Sequence, residues 1–488
     1  MSRDVKQGFL DHLERARPRK AVSDGWAGAV ELTERWLVKR DRADSLLEQL
    51  AESASLAPRG GPPPAGDGAS QPTEAVAGSQ ASGSGSNWAH ERARAQQLFY
   101  GVVRWWSRLE AARQGLMARA PRPRVHAVLL VAGFELLDAA TRESVPASTG
   151  TAAKVVHYAV ERSKQLLSAA EAGFVNAVLR RMAERLKSGG TKLSGDEAGR
   201  LAAEFAHPEW LVQRWLAQFG SEATRRLLEW NQQPAPVYAR WRRPALPVPD
   251  FLKPTPWPTF FEVIPGHWAE VRQLMAEGTL YVQDPATRLC VDLLALQPGE
   301  TVLDGCAAPG GKSVLMADLL QHGRVVAVER PAASAGAGER LARLKDNLSR
   351  APSGVHVALV LSDLRQVTPA VLKQHKLPAA FKAVLVDVPC TNTGVMRHRV
   401  DAKWRLREGD FAKHAAQQYE LLRAAARLTA PGGRLVYSTC SLDSEENEAV
   451  VQRFTRGAGG AWRLERSVLA RPWIDGCDGA GSFLLRRQ

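Results

Sequence analysis

The sequence predicts an α/β fold: an all-α region followed by a doubly wound parallel sheet in the C-terminal half. Three observations carry that expectation. From Tyr281 onward, short β-rich runs alternate with helical ones, which is the pattern of strand-helix-strand units. Before residue 190 the apolar period is helical on both sides of one Pro/Gly/Ser-rich stretch. Two of the strand-like runs also end close to a cysteine, Cys390 in Asp387-Val-Pro-Cys390 and Cys440 in Tyr437-Ser-Thr-Cys440-Ser441. Ligands gather at the carboxyl ends of buried parallel strands, so the two thiols are expected to meet over one pocket.

The first region, residues 1–190, reads as helices at Ala29–Leu37, Asp44–Leu50, Glu91–Arg104, Val125–Leu137, Thr151–Ala170 and Phe174–Leu186. A Pro/Gly/Ser-rich stretch at about 53–87, without an aromatic residue over Arg59–Ser86, interrupts it and reads as a disordered insertion. Such a composition buries too little apolar area to offset the entropy of ordering. Residues 198–278 open with a helical run at Pro208-Glu-Trp-Leu-Val-Gln-Arg-Trp-Leu and become proline-rich from Pro234 to Pro265, a small mixed linking subdomain. Residues 279–488 supply the sheet, with strands expected at Thr301–Asp304, Arg324–Glu329, His356–Leu361, Lys382–Asp387 and Arg434–Tyr437, and a helix at Phe411–Leu428.

Composition narrows the function. The 488 residues carry a formal net charge of +14 despite 51 acidic residues, which points to a polyanionic partner. All five cysteines (Cys290, Cys306, Cys390, Cys440, Cys477) lie in the C-terminal half, odd in number and with no Cys-x-x-Cys pair. That speaks against a disulfide framework and against a metal site, so none is expected. The longest apolar stretch, Val125–Leu137, is broken by His126 and Glu135, and the N-terminus lacks the apolar core of a signal peptide. The expectation is a cytoplasmic protein without membrane attachment, and a monomer.

Asp304-Gly-Cys-Ala-Ala-Pro-Gly-Gly-Lys-Ser313 follows the first strand and feeds a helix. Gly310 and Gly311 permit close backbone approach, and the helix start offers N–H donors to a carboxylate or phosphate. Glu329 ends the next strand, where a carboxylate can accept hydrogen bonds from a ribose diol, and Asp363 follows the third, near an adenine edge. The spacing is not that of a P-loop. On these residues alone a nicotinamide, a flavin or S-adenosylmethionine would all fit.

Four motifs in order resolve the choice: Val282-Gln-Asp-Pro-Ala286, Val302-Leu-Asp-Gly-Cys-Ala-Ala-Pro-Gly-Gly-Lys312, Asp387-Val-Pro-Cys-Thr-Asn-Thr-Gly394, and Ser438-Thr-Cys-Ser441 with Glu445-Glu-Asn447. Together they resemble the Sun (nucleolar-protein) family of RNA cytosine-C5 methyltransferases. Ala95-Gln-Gln-Leu-Phe-Tyr-Gly-Val-Val-Arg104 and Gly173-Phe-Val-Asn-Ala-Val-Leu-Arg-Arg181 are similar to the NusB-like RNA-binding domain of its bacterial RsmB branch. The resemblance implies a class I methyltransferase (Rossmann-like) domain, S-adenosylmethionine as cofactor, and 16S ribosomal RNA as substrate. It implies Cys440 as the nucleophile and Cys390 as the group that releases product, a division that strand pattern leaves open. It places Asp387 at the reacting end and Lys312 beside a thiol or phosphate. Cys306, Ala307, Ala308, Pro309, Gly310, Gly311 and Lys312 surround the methionine moiety, with Glu329, Asp363 and Asp387 completing the cofactor contacts.

The chemistry explains two thiols. Carbon 5 of cytosine is a poor nucleophile until a thiolate adds at carbon 6, and the adduct must later be resolved by removing the proton at carbon 5. Basic and aromatic residues interleave at Arg104-Trp105-Trp106, at Arg240 and Arg242 around Trp241, and at Arg397, Arg399, Lys403 and Arg405 around Trp404. Such groups hold phosphates and stack on unpaired bases, the kind of site from which a target cytosine can leave its stack. The segment Asn231-Gln-Gln-Pro-Ala-Pro-Val-Tyr-Ala-Arg-Trp-Arg-Arg243 departs from the family pattern within the subdomain expected to contact RNA. The competing readings are the same chemistry on transfer RNA or large-subunit ribosomal RNA, or a noncatalytic RNA-binding assembly factor.

Overall fold

The computed structural model describes residues 24–55, 83–142, 151–187, 195–332 and 335–488. It divides into two compact units between Ala206 and His207. The first is all-α: α1 (Gly25–Lys39), α2 (Ala43–Ser55), α3 (Gly83–Arg113), α4 (Pro123–Arg142), α5 (Thr151–Ser163), α6 (Ala169–Lys187) and α7 (Glu197–Glu204). Asp24 starts α1 by accepting from the Trp26 N–H at 2.9 Å, and Arg40 ends it in the left-handed region at φ 54°. The Arg40 guanidinium lies 3.9 Å from both the Trp36 and Trp106 rings. At Gly101 on α3, a Cβ would sit 2.1 Å from the Phe134 ring of α4, so glycine lets these helices close.

Two expectations change here. The helix expected over Thr151–Ala170 is two helices, because Ser168 and Glu171 form a capping box. The Ser168 N–H donates to Glu171 Oε2 at 3.0 Å, and the Glu171 N–H donates to Ser168 Oγ at 3.4 Å. The insertion expected at 53–87 is narrower, since α2 runs to Ser55 and α3 begins at Gly83; the rest of it lies outside the described residues. Extending an existing helix costs far less than nucleating one, which lets the small residues before Trp88 join α3.

The second unit begins with α8 (Glu209–Phe219) and α9 (Ser221–Gln232). The region expected to start at Ala198 is thus divided, with α7 in the first unit, where Glu204 O accepts from Arg108 at 3.4 Å. The proline-rich segment folds as β1 (Tyr238–Trp241), β2 (Leu252–Pro254), β3 (Phe260–Val263), α10 (Trp268–Ala276) and β4 (Leu280–Val282). Its strands form an antiparallel sheet in the order β2-β3-β1-β4, closed over Ala239, Trp241, Leu252, Val263, Val271 and Leu280.

The large sheet takes α11 (Ala286–Leu294), β5 (Thr301–Asp304), α12 (Gly311–Leu320), β6 (Gly323–Glu329), α13 (Ala335–Ser349), β7 (Val355–Leu361), β8 (Phe381–Asp387), α14 (Gly409–Arg427), β9 (Thr429–Thr439), α15 (Glu448–Gly457), β10 (Trp462–Ala470) and β11 (Ala480–Arg487). Its order is β10-β11-β9-β8-β5-β6-β7. Strands β5 to β9 pair in parallel, whereas β11 is antiparallel to β9 and β10 to β11. The sheet is therefore mixed rather than wholly parallel. Both faces are covered: on β8, Val384 and Val386 enter one apolar core while Ala383 and Leu385 enter the other. Strand order reverses between β5 and β8, which places the ligand crevice at their carboxyl ends. Among the described residues, no helix is long and apolar enough to cross a membrane.

Two arginines fasten the small sheet to α12. Arg240 on β1 reaches Asp318 Oδ2 at 2.6 Å, and Arg242 holds Asp318 at 2.8 and 2.9 Å while donating to the Gly278 and Arg350 carbonyls. Both guanidinium side chains are 4% exposed. Replacing Asp318 by Ala strands two buried cations and should lower unfolding free energy by about 3–5 kcal/mol in a denaturant titration.

Candidate active site

The parallel pairing of β8 and β9 sets Asp387 against Ser438, and the Val388 N–H donates to Ser438 O at 2.9 Å. Both chains then continue over the strand ends, and Cys390 Sγ meets Cys440 Sγ at 2.9 Å. Cys440 also contacts Asn392 Oδ1 at 3.4 Å, while Asn392, in the left-handed region at φ 63°, donates to Cys390 O at 2.9 Å. The Gly394 N–H reaches Cys440 O at 2.9 Å. A Cβ on Gly394 would lie 2.4 Å from Gly479 O and 2.8 Å from Cys440 O, so only glycine allows the loops to come this close. Cys390 is buried; Cys440 is half-buried and the more accessible.

Lys312, at the start of α12, crosses to Asp387 with Nζ 2.7 Å from Oδ2. Burial alone would push this lysine down, but Asp387 outweighs it, with Cys290 and Cys440 adding to the pull, and its pKa is raised. Lys312 therefore remains a cation beside the thiols. The hydrogen bond with Cys440, together with burial, holds the Cys390 thiol well above the usual range, so it is neutral at pH 7.

At the glycine turn, the Ala308 N–H donates to Glu329 Oε2 at 2.8 Å, which brings the end of β6 against the turn. Gly310 has φ +106°, and a Cβ there would crowd Leu344 and Asn347 of α13 at 3.1 and 3.2 Å. Asn347 braces the Pro309 carbonyl at 2.7 Å and Arg340 the Ala308 carbonyl at 3.1 Å. Ala307 is buried, Cys306 packs against the sheet core, and burial raises the Cys306 thiol. Asp304 is buried and pushed up to about 6; it accepts from Ser313 Oγ at 2.6 Å, while its Oδ1 makes no hydrogen bond with any described residue. That unmet acceptor, the glycine cradle and the Glu329 carboxylate suit an ammonium group joined to a ribose, as in S-adenosylmethionine. The Asp363 carboxylate is already engaged, with both oxygens on Arg365 at 2.9 and 2.6 Å, and this ion pair lowers its pKa.

Most of the expected RNA contacts are internal ties. Arg240 and Arg242 are buried on Asp318, as described above. Arg397 donates to Pro234 O at 2.9 Å and lies 3.9 Å over the Trp230 ring. Lys403 is 2% exposed, with its ammonium 5.1 Å from the Trp404 ring. Arg104 is likewise buried in the helical unit, and Trp105 and Trp106 pack against its core. Of the six residues, Arg405 is exposed and bound to Asp401 at 2.9 Å, and Arg399 is half-buried; His398 and Arg407 beside them are exposed.

Behind these loops lies an acid pair that the sequence reading passed over. Asp284 Oδ1 accepts from the Ala286 N–H at 2.8 Å and the Asp478 N–H at 3.2 Å, and Asp478 faces His398 at 3.4 Å. Burial pushes both carboxyls up to about 7, with their mutual repulsion adding at Asp284 and the Arg397 cation opposing at Asp478.

Residues 291–470 match the family described as 16S rRNA methyltransferase RsmB/F, and residues 79–184 match the NusB family. The ribosomal RNA small subunit methyltransferase B of Sodalis glossinidius is 31% identical over 399 residues, covering 79% of this chain and 86% of its own. The chain belongs to the RsmB/F family of 16S rRNA methyltransferases. The Vibrio cholerae methyltransferase B is also 31% identical, over 396 residues and 85% of its length. The crystal structure of PH0851, at 20% identity and a TM-score of 0.67 with 96% of this chain and 100% of that one covered, shares the fold. As an RsmB/F protein the chain is an S-adenosylmethionine-dependent RNA methyltransferase.

The acid pair gives a pH signature. Unfolded, these carboxyls titrate near 3.9, so with folded values of about 7 their protonated forms favour folding. That contribution is complete below pH about 4 and is lost as pH rises through 7. Thermal unfolding should show stability falling from pH 5 to 8, and Asp478→Asn should flatten the fall.

Proposed function

We propose that this chain methylates carbon 5 of an unpaired cytosine in 16S ribosomal RNA, with Cys440 as nucleophile and Cys390 as the releasing group. The observation that carries the reading is the contact of two thiols at adjacent strand ends beside the Lys312–Asp387 ion pair. Cys440 is the more accessible of the two and lies within the field of the Lys312 cation. Adding that sulfur to carbon 6 breaks the 5,6 double bond and makes carbon 5 nucleophilic. S-adenosylmethionine, when bound, supplies an electrophilic methyl group. Asp387 keeps Oδ2 on Lys312 and offers Oδ1 to the edge of the cytosine ring.

Removing the proton from carbon 5 and breaking the carbon–sulfur bond then restores the double bond and frees Cys440. Cys390 is suited to the later step. Before attack its hydrogen bond with Cys440 keeps it protonated. Once Cys440 carries the base that hydrogen bond is gone while burial remains, so the Cys390 thiol first gives its proton to solvent water and its sulfur then takes the proton from carbon 5.

The 16S assignment rests on the names of the relatives, the ribosomal RNA small subunit methyltransferases B. Five free cysteines suit a reducing, cytoplasmic setting. His398, Arg399, Arg405 and Arg407, along the segment that follows Cys390, present the basic surface for the strand entering the site. Mapping 5-methylcytosine by bisulfite sequencing should show one position lost from 16S RNA when the gene is deleted; loss from transfer or large-subunit RNA instead would reassign the substrate. Cys440→Ala should abolish the covalent RNA adduct. Cys390→Ala should accumulate it and slow turnover by roughly 10²–10⁴-fold. Calorimetry should detect binding of S-adenosylhomocysteine and none of NAD.

A further inference from the structure

Glu446 and Asn447 sit between the strand that delivers Cys440 and helix α15, and neither reaches the pocket surface, being 0% and 1% exposed. Glu446 Oε1 accepts from the Thr391 N–H at 3.1 Å and from Gln418 Nε2 at 2.8 Å, and Oε2 accepts from Thr391 Oγ1. Gln418 Nε2 also donates to Pro389 O at 3.0 Å. The residues on either side of Cys390 are thereby tied to one carboxylate. Asn447 does the same for the other thiol: its Oδ1 accepts from Thr439 Oγ1 at 2.7 Å, and its Nδ2 donates to Ser441 O at 2.9 Å, the two neighbours of Cys440.

We propose that Glu446 and Asn447 are a paired clamp of positioning residues for methyl transfer, Glu446 aligning Cys390 for product release and Asn447 aligning Cys440 for attack. The proposal rests on the assignment of roles to the two cysteines.

The identity of each residue follows from its partners. Glu446 faces only donors among its described hydrogen bonds, two from Thr391 and one from Gln418, so its side chain must be acceptor on both oxygens. Burying a carboxylate without a cation is costly, and a site that serves packing alone would take an apolar residue there. Asn447 faces one donor and one acceptor, a pair that an amide satisfies and a carboxylate does not. The dipeptide is itself fixed. Tyr437 Oη donates to Glu446 O at 2.5 Å, and the Asn447 carbonyl accepts from the Val451 N–H of α15 at 3.3 Å. Across the sheet, a Cβ at Gly481 of β11 would stand 2.3 Å from Asn447 Oδ1, so that strand carries glycine where the amide presses on it. The Glu446 charge is also among the influences that hold the Cys390 thiol up.

The test separates formation of the covalent RNA adduct from its decay, in single-turnover reactions with S-adenosylmethionine and 16S RNA transcript. Cys390→Ala and Cys440→Ala are run alongside. Glu446→Gln should form adduct within about twofold of the wild-type rate and accumulate it at least tenfold. Asn447→Asp should slow formation at least tenfold and accumulate none. Thr391→Val and Thr439→Val remove one tie each while leaving the clamp in place, and should give the same two signatures more weakly; they carry the test if either clamp variant fails to fold. Equal losses in both steps for all variants would overturn the proposal, as would wild-type adduct levels in Glu446→Gln. Failure of Cys390→Ala to trap adduct would instead overturn the cysteine assignment on which it rests.

Discussion

Everything at this site depends on the parallel register of two neighbouring strands. Asp387 on β8 lies opposite Ser438 on β9, and strands about 4.8 Å apart leave the residues just beyond their ends within contact. Cys390 stands three positions past Asp387 and Cys440 two past Ser438. A slip of one residue would turn one thiol from the pocket and expose alternate side chains of a strand buried on both faces. The register is thus held by the apolar cores to which Ala383, Val384, Leu385 and Val386 contribute. Glycines at 394 and 479, and the polar ties from Glu446 and Asn447, convert that register into a fixed separation of sulfurs.

On this frame the two cysteines sit in different electrostatic surroundings. Lys312 pairs with Asp387 and remains protonated, so the pocket carries a cation within the field of Cys440. Cys390, deeper and hydrogen-bonded to its neighbour, is held neutral by that bond and by burial. In the proposed reaction, one contact between sulfurs supplies both the nucleophile and the order of events. The proposed cofactor end of the crevice, with Glu329, Asp304 and the Gly310 turn, belongs to the adjacent strands of the same sheet.

The strands that carry the site were legible because each is a compact apolar run ended by a polar or small motif, as in Lys382–Asp387. β10 and β11 were not: arginines interrupt Trp462-Arg-Leu-Glu-Arg-Ser-Val-Leu-Ala470, and alanine, glycine and serine begin the other. The small sheet was hidden by its prolines, and only its tertiary pairing makes strands of three or four residues persist. Most cations of the basic-aromatic clusters are enclosed within the fold. Adjacency of Arg and Trp in sequence says nothing about burial, and the partners that enclose these cations are distant: Asp318 for Arg240, Trp230 for Arg397. Glu446 and Asn447 stood within a recognised motif, but what they hold depends on which groups the fold brings to them.

The central claim is that Cys440 makes the bond to cytosine while Cys390 stands behind it. Substituting 5-fluorocytosine at the target position of the RNA blocks removal of the group at carbon 5, so the wild-type protein should halt as a covalent complex. Proteolysis and mass spectrometry then identify the modified cysteine directly. The account predicts the methylated nucleotide on the peptide containing Cys440, with Cys390 unmodified; a nucleotide attached to Cys390 would contradict it.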